Sequence, residues 1–214
     1  MGVFAEGPTD PDFFSPLLVR LAIVLIRSGG KHSAGIADPL ILPGRPSNDT
    51  FAPTIQRYAS LCNLIVVHTD GNGDPDGARA ERIEPWFGSW PLSEARTALV
   101  PVVPVRETEA WMLADIDAIQ RLLGTKQDAS DLGLPTRVRG VEQIADPKST
   151  LKTILDRALG VRRARKVGVR PLYGALGAET SIDKLRMVPA FARFESEFHA
   201  TLAALGFISR RSSS

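Results

Sequence analysis

The chain of 214 residues contains a single cysteine, Cys62, and only two tyrosines, three methionines and three tryptophans. One cysteine excludes an intramolecular disulfide framework and a cysteine-based zinc site. Cys62 sits just before an apolar run and reads as a small buried hydrophobe. Long hydrophobic runs are also missing. The greasiest stretch, LLVRLAIVLI over 17–26, is interrupted by Arg20 and is well short of the roughly 20 residues a membrane span needs, so it reads as a buried helix. The N-terminus, MGVFAEGPTD, carries acids where a secretion signal carries lysines. A cytoplasmic protein with no membrane partner is expected. There is no Walker A loop, GxGxxG fingerprint, GxSxG elbow or zinc-finger spacing, which removes the support for an NTPase or a serine hydrolase.

What is present is ordinary globular composition, 43% hydrophobic and 23% charged. The 26 basic and 24 acidic residues nearly cancel, so their distribution is more informative than their sum. Acids gather early in the chain, and bases gather in GVRRARKVGVR (160–170) and at the C-terminus. Residues 2–5 form a short apolar run that ends at Glu6-Gly7-Pro8: a strand, then a turn. Asp10 or Asp12 can cap the helix that follows, whose Phe13, Phe14, Leu17, Leu18, Leu21 and Leu25 recur at helical spacing. Residues 35–42 make a weaker strand, interrupted by Pro39, and a helix is expected over 51–61. Asn63 to Thr69 is the clearest strand, a continuous β-branched run suited to a central parallel position. After it come a DGNGDPDG loop, helices around 77–84 and from Ser93, and the strand 98–105, whose two prolines suit a sheet edge or a bulged strand. From Arg106 on the pattern is helical: 107–123, 150–159 and 189–205, with Arg210 and Arg211 in a frayed tail. The expected fold is α/β, a mostly parallel four-stranded sheet flanked by helices over 1–125, with a helical extension over 126–214 packed on it, both stretches being small enough to share one core.

Three groups of carboxylates fall at strand ends: Glu6, then Asp70 with Asp74 and Asp76, then Glu107 with Glu109. In open parallel sheets ligands bind beyond the carboxyl ends of the strands, where residues distant in sequence meet. Crowded carboxylates repel unless a cation lies among them, and hard oxygen ligands suit Mg²⁺ or Mn²⁺. DGNGDPDG also satisfies a solvated turn, and its DxNxDxDG spacing resembles a calcium loop. Glu107 and Glu109 equally satisfy a helix N-terminus.

The segments VFAEGPTD (3–10), VVHTDGNGD (66–74), RETEAWMLAD (106–115), DPKSTL (146–151) and MVPAFARFESEF (187–198) resemble a Toprim-related bacterial family of unknown function, distantly similar to the Toprim domains of OLD-type nucleases. The resemblance implies a Toprim-like fold and Mg²⁺-dependent (or Mn²⁺-dependent) phosphodiester chemistry, with a nuclease in a phage-defence or mobile-element setting as the expected function. Glu6 matches the Toprim glutamate, an acid/base or metal ligand, and Asp70 matches the first aspartate of the DxD motif. Together they are the expected catalytic pair. Asn72 stands where the second aspartate belongs, which implies a single ion unless Asp74 or Asp76 substitutes. The expected metal set is Glu6, Asp70, Asn72, Asp74, Glu107 and Glu109. The alternative implied by Asn72 is a non-catalytic nucleic-acid-binding module or a partner subunit in a defence complex.

Arg162, Arg163, Arg165, Lys166 and Arg170 form the best nucleic-acid surface, because clustered cations neutralise phosphates without reading sequence. Lys148, at a helix start, is either a phosphate contact or a solvent-facing lysine. Trp111 and Met112 read as core. His68 reads as a buried histidine with a backbone partner, His32 and His199 show no convergent partners, and Tyr58 and Tyr173 show no nucleophile context. Asp115 either faces the site or caps a second helix with Asp117. If the acids merely crowd one another, Glu6→Gln or Asp70→Asn should leave stability unchanged or raise it.

Overall fold

The computed structural model describes residues 1–29, 35–90 and 97–209. His32, the helix expected from Ser93 and the tail with Arg210 and Arg211 fall wholly or at their start outside them. Four strands, β1 (Gly2–Phe4), β2 (Leu40–Ile41), β3 (Leu64–His68) and β4 (Ala98–Val102), form one sheet in the order β2-β1-β3-β4. Every pairing is parallel. β3 is buried along its whole length, as its apolar sequence requires, and β4, with Pro101, lies at an edge. The weak 35–42 segment shrinks to the two exposed residues of β2.

Strand alternation divides the apolar side chains between two layers. Val3, Leu64, Val66, Val100 and Val102 face the larger core with α1 (Asp10–Gly29), while Phe4, Ile65 and Val67 face a smaller one with α2 (Phe51–Tyr58). Between β3 and β4 the chain runs through α3 (Pro75–Ala78), a π-helical turn and α4 (Glu84–Gly88). After β4 the chain is helical: α5 (Glu109–Met112), α6 (Ile116–Leu123), α7 (Pro147–Leu159), α8 (Val161–Val167), α9 (Arg170–Glu179), α10 (Ile182–Leu185) and α11 (Pro189–Ala204). These helices contribute Trp111, Ile154, Tyr173, Phe191 and Phe194 to the same larger core as the sheet. Trp111 stands edge-on to Phe14 and Phe191, which ties α5 to α1 and α11. Among the described residues no helix is long and apolar enough to cross a membrane.

One expected helix is two. The 107–123 periodicity is broken because Asp115 caps α6, its Oδ1 accepting from the Asp117 and Ala118 amides while Oδ2 accepts from the Ser181 amide. Lys184 closes the same carboxylate at 2.7 Å. Asp115 is thus a clasp between α6 and α10 and does not face the acidic edge.

The candidate acidic site

Glu6 and Asp70 leave neighbouring strands, β1 and β3, at their carboxyl ends. Glu6 Oε2 accepts from Thr69 Oγ1 at 2.7 Å and from the Asp70 amide at 3.0 Å, and Arg82 Nη1 stands 3.4 Å away. All these contacts fall on Oε2, so Oε1 has no hydrogen bond among the described residues. The Arg82 guanidinium also donates to the Asp70 carbonyl at 2.7 Å, fixing the turn after β3.

The 70–74 loop is not a free turn. Thr69, Gly71, Asn72 and Gly73 amides donate to the carbonyls of Val102, Pro104, Arg106 and Val105, extending the β3–β4 pairing past the strand ends. A side chain at Gly71 would run into the Pro104 and Val105 carbonyls, so glycine is required for this close approach. The loop carboxylates then diverge. Asp70 turns to His68 at 3.2 Å, Asp74 caps α3 through the Gly77 amide, and Asp76 pairs with Arg193 at 2.6 Å. Asn72, exposed and left-handed at φ 53°, joins none of them. Carboxylates dispersed in this way do not form the calcium loop that their spacing resembles.

His68 is fully buried and has carboxylate partners, not the expected backbone one. Its Nδ1 lies 3.1 Å from Asp10 Oδ2 and its Nε2 lies 3.2 Å from Asp70 Oδ1 and 3.1 Å from Thr108 Oγ1. Burial opposes a charged ring, but the contacts with Asp10 and Asp70 prevail and raise its pKa to about 10. At neutral pH the ring is an imidazolium held between two carboxylates. Burial pushes the Asp10 carboxyl up, and His68 with the Gly7 amide more than offsets it, leaving it below its ordinary value. Asp10 therefore does not cap α1; it turns inward. The distances are those of ion pairs, yet neither is aligned as a hydrogen bond, so His68 Nδ1 and Asp70 Oδ1 are buried without a directed partner.

On the β4 side, Glu107 and Glu109 follow the strand by different routes. Glu109 is buried at the start of α5 and accepts a short hydrogen bond from the Tyr173 hydroxyl. The Lys148 ammonium lies 3.3 Å from the same oxygen, and the Lys148 backbone amide donates to Glu107 Oε2 at 3.3 Å. Burial and the neighbouring Glu109 charge raise the Glu107 carboxyl above its ordinary value. Burial raises the Tyr173 hydroxyl first, and Glu109 adds to it. Tyr173 reaches the site because α9 lies hard against α1: a side chain at Gly177, one turn on, would meet the Phe13 carbonyl.

The structure thus brings Glu6, Asp70, Glu107 and Glu109 to the carboxyl edge of one sheet and adds Asp10, His68, Arg82, Lys148 and Tyr173. Unrelieved crowding, expected from sequence, is not what is found, since Arg82, His68 and Lys148 are interleaved with the acids. His68 could have been found by alternation, which puts residues 68 and 70 on one side of the chain; Tyr173, 64 residues from Glu109, has no sequence signal. Among the described residues no three His, Cys, Asp or Glu side chains converge as a metal-holding group. The oxygen-only donors Glu6, whose Oε1 takes no hydrogen bond among the described residues, and Asp70 nevertheless suit a hard cation that shares its shell with water or substrate.

The basic stretch forms α8, on which only Ala164 is buried. Arg162, Arg163, Arg165 and Lys166 are exposed and join no ion pair among the described residues. No family model matches this chain, and no curated protein or solved structure matches it.

Proposed function

We propose that this chain is a cytoplasmic, Toprim-like, Mg²⁺-dependent phosphodiester-processing protein, a nuclease acting in a prokaryotic defence or mobile-element setting. The observation that carries the reading is the meeting of Glu6 and Asp70 from adjacent parallel strands, with the Asp70 amide bonded to the Glu6 carboxylate. Glu6 through Oε1, together with the Asp70 carboxylate, would hold Mg²⁺ or Mn²⁺, which when bound supplies Lewis-acid polarisation of a phosphate. The chain's own residues do the rest. Thr69 and Arg82 fix the Glu6 rotamer through Oε2, leaving Oε1 turned to the cation position. His68 holds Asp70 at a set orientation. Arg162, Arg163, Arg165 and Lys166 bind the nucleic-acid backbone.

The basic helix and the acidic edge are close along the chain. Arg170 at the start of α9 pairs with Asp12 at 2.9 Å, two residues from Asp10, and Lys166 is four residues before it, at most about 14 Å of extended chain. An open cleft lined by Asp12, Arg170, Pro171 and Gly174 lies there. The test is cleavage of DNA and RNA panels with Mg²⁺ or Mn²⁺. Wild type should cut at least one strand type, and Glu6→Gln and Asp70→Asn should each abolish cutting while nucleic-acid binding persists.

A second reading, a nucleic-acid-binding or partner subunit with a degraded site, is favoured by one feature: Asn72 brings no charge, and Asp74 and Asp76 are committed elsewhere. No cleavage under either ion, together with binding through α8, selects it.

A further inference from the structure

α8 stands clear of the body that carries it. Of its seven residues only Ala164 is buried, and the rest are exposed. Gly160 and Gly168 bracket it at φ 76° and 72°, a backbone that residues with a side chain rarely adopt. A Cβ added at either glycine would meet no atom within 4 Å, so both ends of the helix are open as well as its outer face. Ala164 fixes how the helix is turned. At 3.6 residues per turn each residue advances about 100°, so Val161 and Val167 flank Ala164 on the inner side. The direction opposite Ala164 lies midway between Arg162 and Lys166, about 20° from each. Arg165 lies about 60° beyond Arg162, and Arg163 about 60° beyond Lys166 on the other side. The four cations therefore form two diverging pairs, each of residues three apart on one face: Arg162 with Arg165, and Arg163 with Lys166.

Two diverging pairs of cations suit two phosphate backbones. The major groove of B-form DNA is about 12 Å wide and admits an α-helix, which then has one strand on each side. The seven residues of α8 make a rod about 10 Å long, short enough to enter the groove without its neighbours α7 and α9. A single strand offers one backbone and would have to wrap round the helix to meet both pairs. Duplex RNA has a deep, narrow major groove that side chains cannot enter.

We propose that α8 docks in the major groove of duplex DNA, with Arg162 and Arg165 on the phosphates of one strand and Arg163 and Lys166 on those of the other. The inference rests on the nucleic-acid reading above and names the substrate class of that surface. Phosphate contacts read no bases, so the docking is independent of sequence. It draws on no metal and on no acid of the sheet edge, and binding therefore tests it apart from cleavage.

The test is fluorescence anisotropy of the full chain, in EDTA, with labelled duplex DNA, single-stranded DNA and duplex RNA of one sequence and length. Wild type should bind duplex DNA at least about tenfold more tightly than either other form. Two double variants, Arg162→Gln with Arg165→Gln and Arg163→Gln with Lys166→Gln, should each flatten the salt slope on duplex DNA by about 1.8, two contacts at about 0.9 each. Circular dichroism checks that both are folded, which the exposure of all four residues favours. Equal or tighter binding of the single strand or of duplex RNA would overturn the inference, as would one pair carrying the whole loss and the other none. A wild type that binds no nucleic acid would overturn it too. Each of these outcomes leaves the acidic edge to its own test: cleavage by a chain that prefers single strands keeps the metal-dependent reading and removes the groove.

Discussion

At the acidic edge most carboxylates face a cation within the fold. Glu6 lies by Arg82, Asp10 and Asp70 share His68, and Glu109 takes Lys148 and Tyr173. On α8, between Gly160 and Gly168 at positive φ, four cations stand in solvent with no acid paired to them among the described residues, held down by one buried alanine. Matched, buried charge becomes part of the folding equilibrium, because removing one member strands the other in a low-dielectric interior. Unmatched, exposed charge contributes little to folding and remains available to a polyanion. The two regions should therefore respond to mutation in opposite ways, one losing stability and the other losing only affinity.

The largest effect is expected at His68. His68→Ala leaves Asp10 buried beside Asp70 with no cation, and breaking such an arrangement costs about 3–5 kcal/mol, to be read by urea unfolding at pH 7. A loss under about 1 kcal/mol would mean that the edge is no more coupled to folding than α8 is. The pH dependence has a definite sign. A histidine whose folded pKa is about 10, against an ordinary 6.5, contributes fully below about pH 6.5. That contribution drains away as pH rises through 10, because the folded state then binds a proton that the unfolded state has already lost. Unfolding free energy measured from pH 6 to 10 should fall in wild type and fall less steeply in His68→Ala.

A middle-sized effect is expected at Tyr173. Tyr173→Phe keeps the ring in the core and removes one donor from buried Glu109, costing about 1–3 kcal/mol in the same urea experiment. A neutral result would indicate that Lys148 alone satisfies the carboxylate.

These contacts also mark where the sequence stops being legible. The strands β1, β3 and β4 and their acidic ends can be read from apolar runs broken by glycine, proline and aspartate, because those signals are local. The same local view takes Asp10 for a helix cap and His68 for a core histidine, since the ion pair between them exists only once α1 lies across β3. It also gives the wrong sign for Asp70→Asn. Carboxylates viewed alone repel, so removing one should help; with an imidazolium 3.2 Å away, removing it takes a favourable partner from His68, and stability should fall. The break at Asp115 escapes the helical periodicity for a similar reason, as its oxygens are claimed by Ser181 and Lys184 from another helix.

The smallest effect on stability, and the sharpest contrast, is expected on α8. Arg162, Arg163 and Arg165 are exposed and pair with no acid among the described residues, so replacing all three with glutamine should move the unfolding free energy by no more than about 0.5 kcal/mol at each site. Nucleic-acid affinity should behave differently. Each arginine that neutralises a phosphate releases a counterion, so the plot of log binding constant against log salt should flatten by about 0.9 per lost contact on duplex and about 0.7 on a single strand. Across three arginines, a slope shallower by about 2–3 is expected, with affinity lost uniformly over sequences because backbone contacts read no bases. If the triple variant instead unfolds more easily by several kcal/mol, α8 is structurally matched in some way its exposure hides, and the contrast with the acidic edge disappears. If stability and salt slope are both unchanged, the contrast in stability survives, but α8 is not the surface that meets nucleic acid. Running the same titration on His68→Ala completes the comparison: an intact slope on a destabilised protein would show that the two regions divide folding and binding between them.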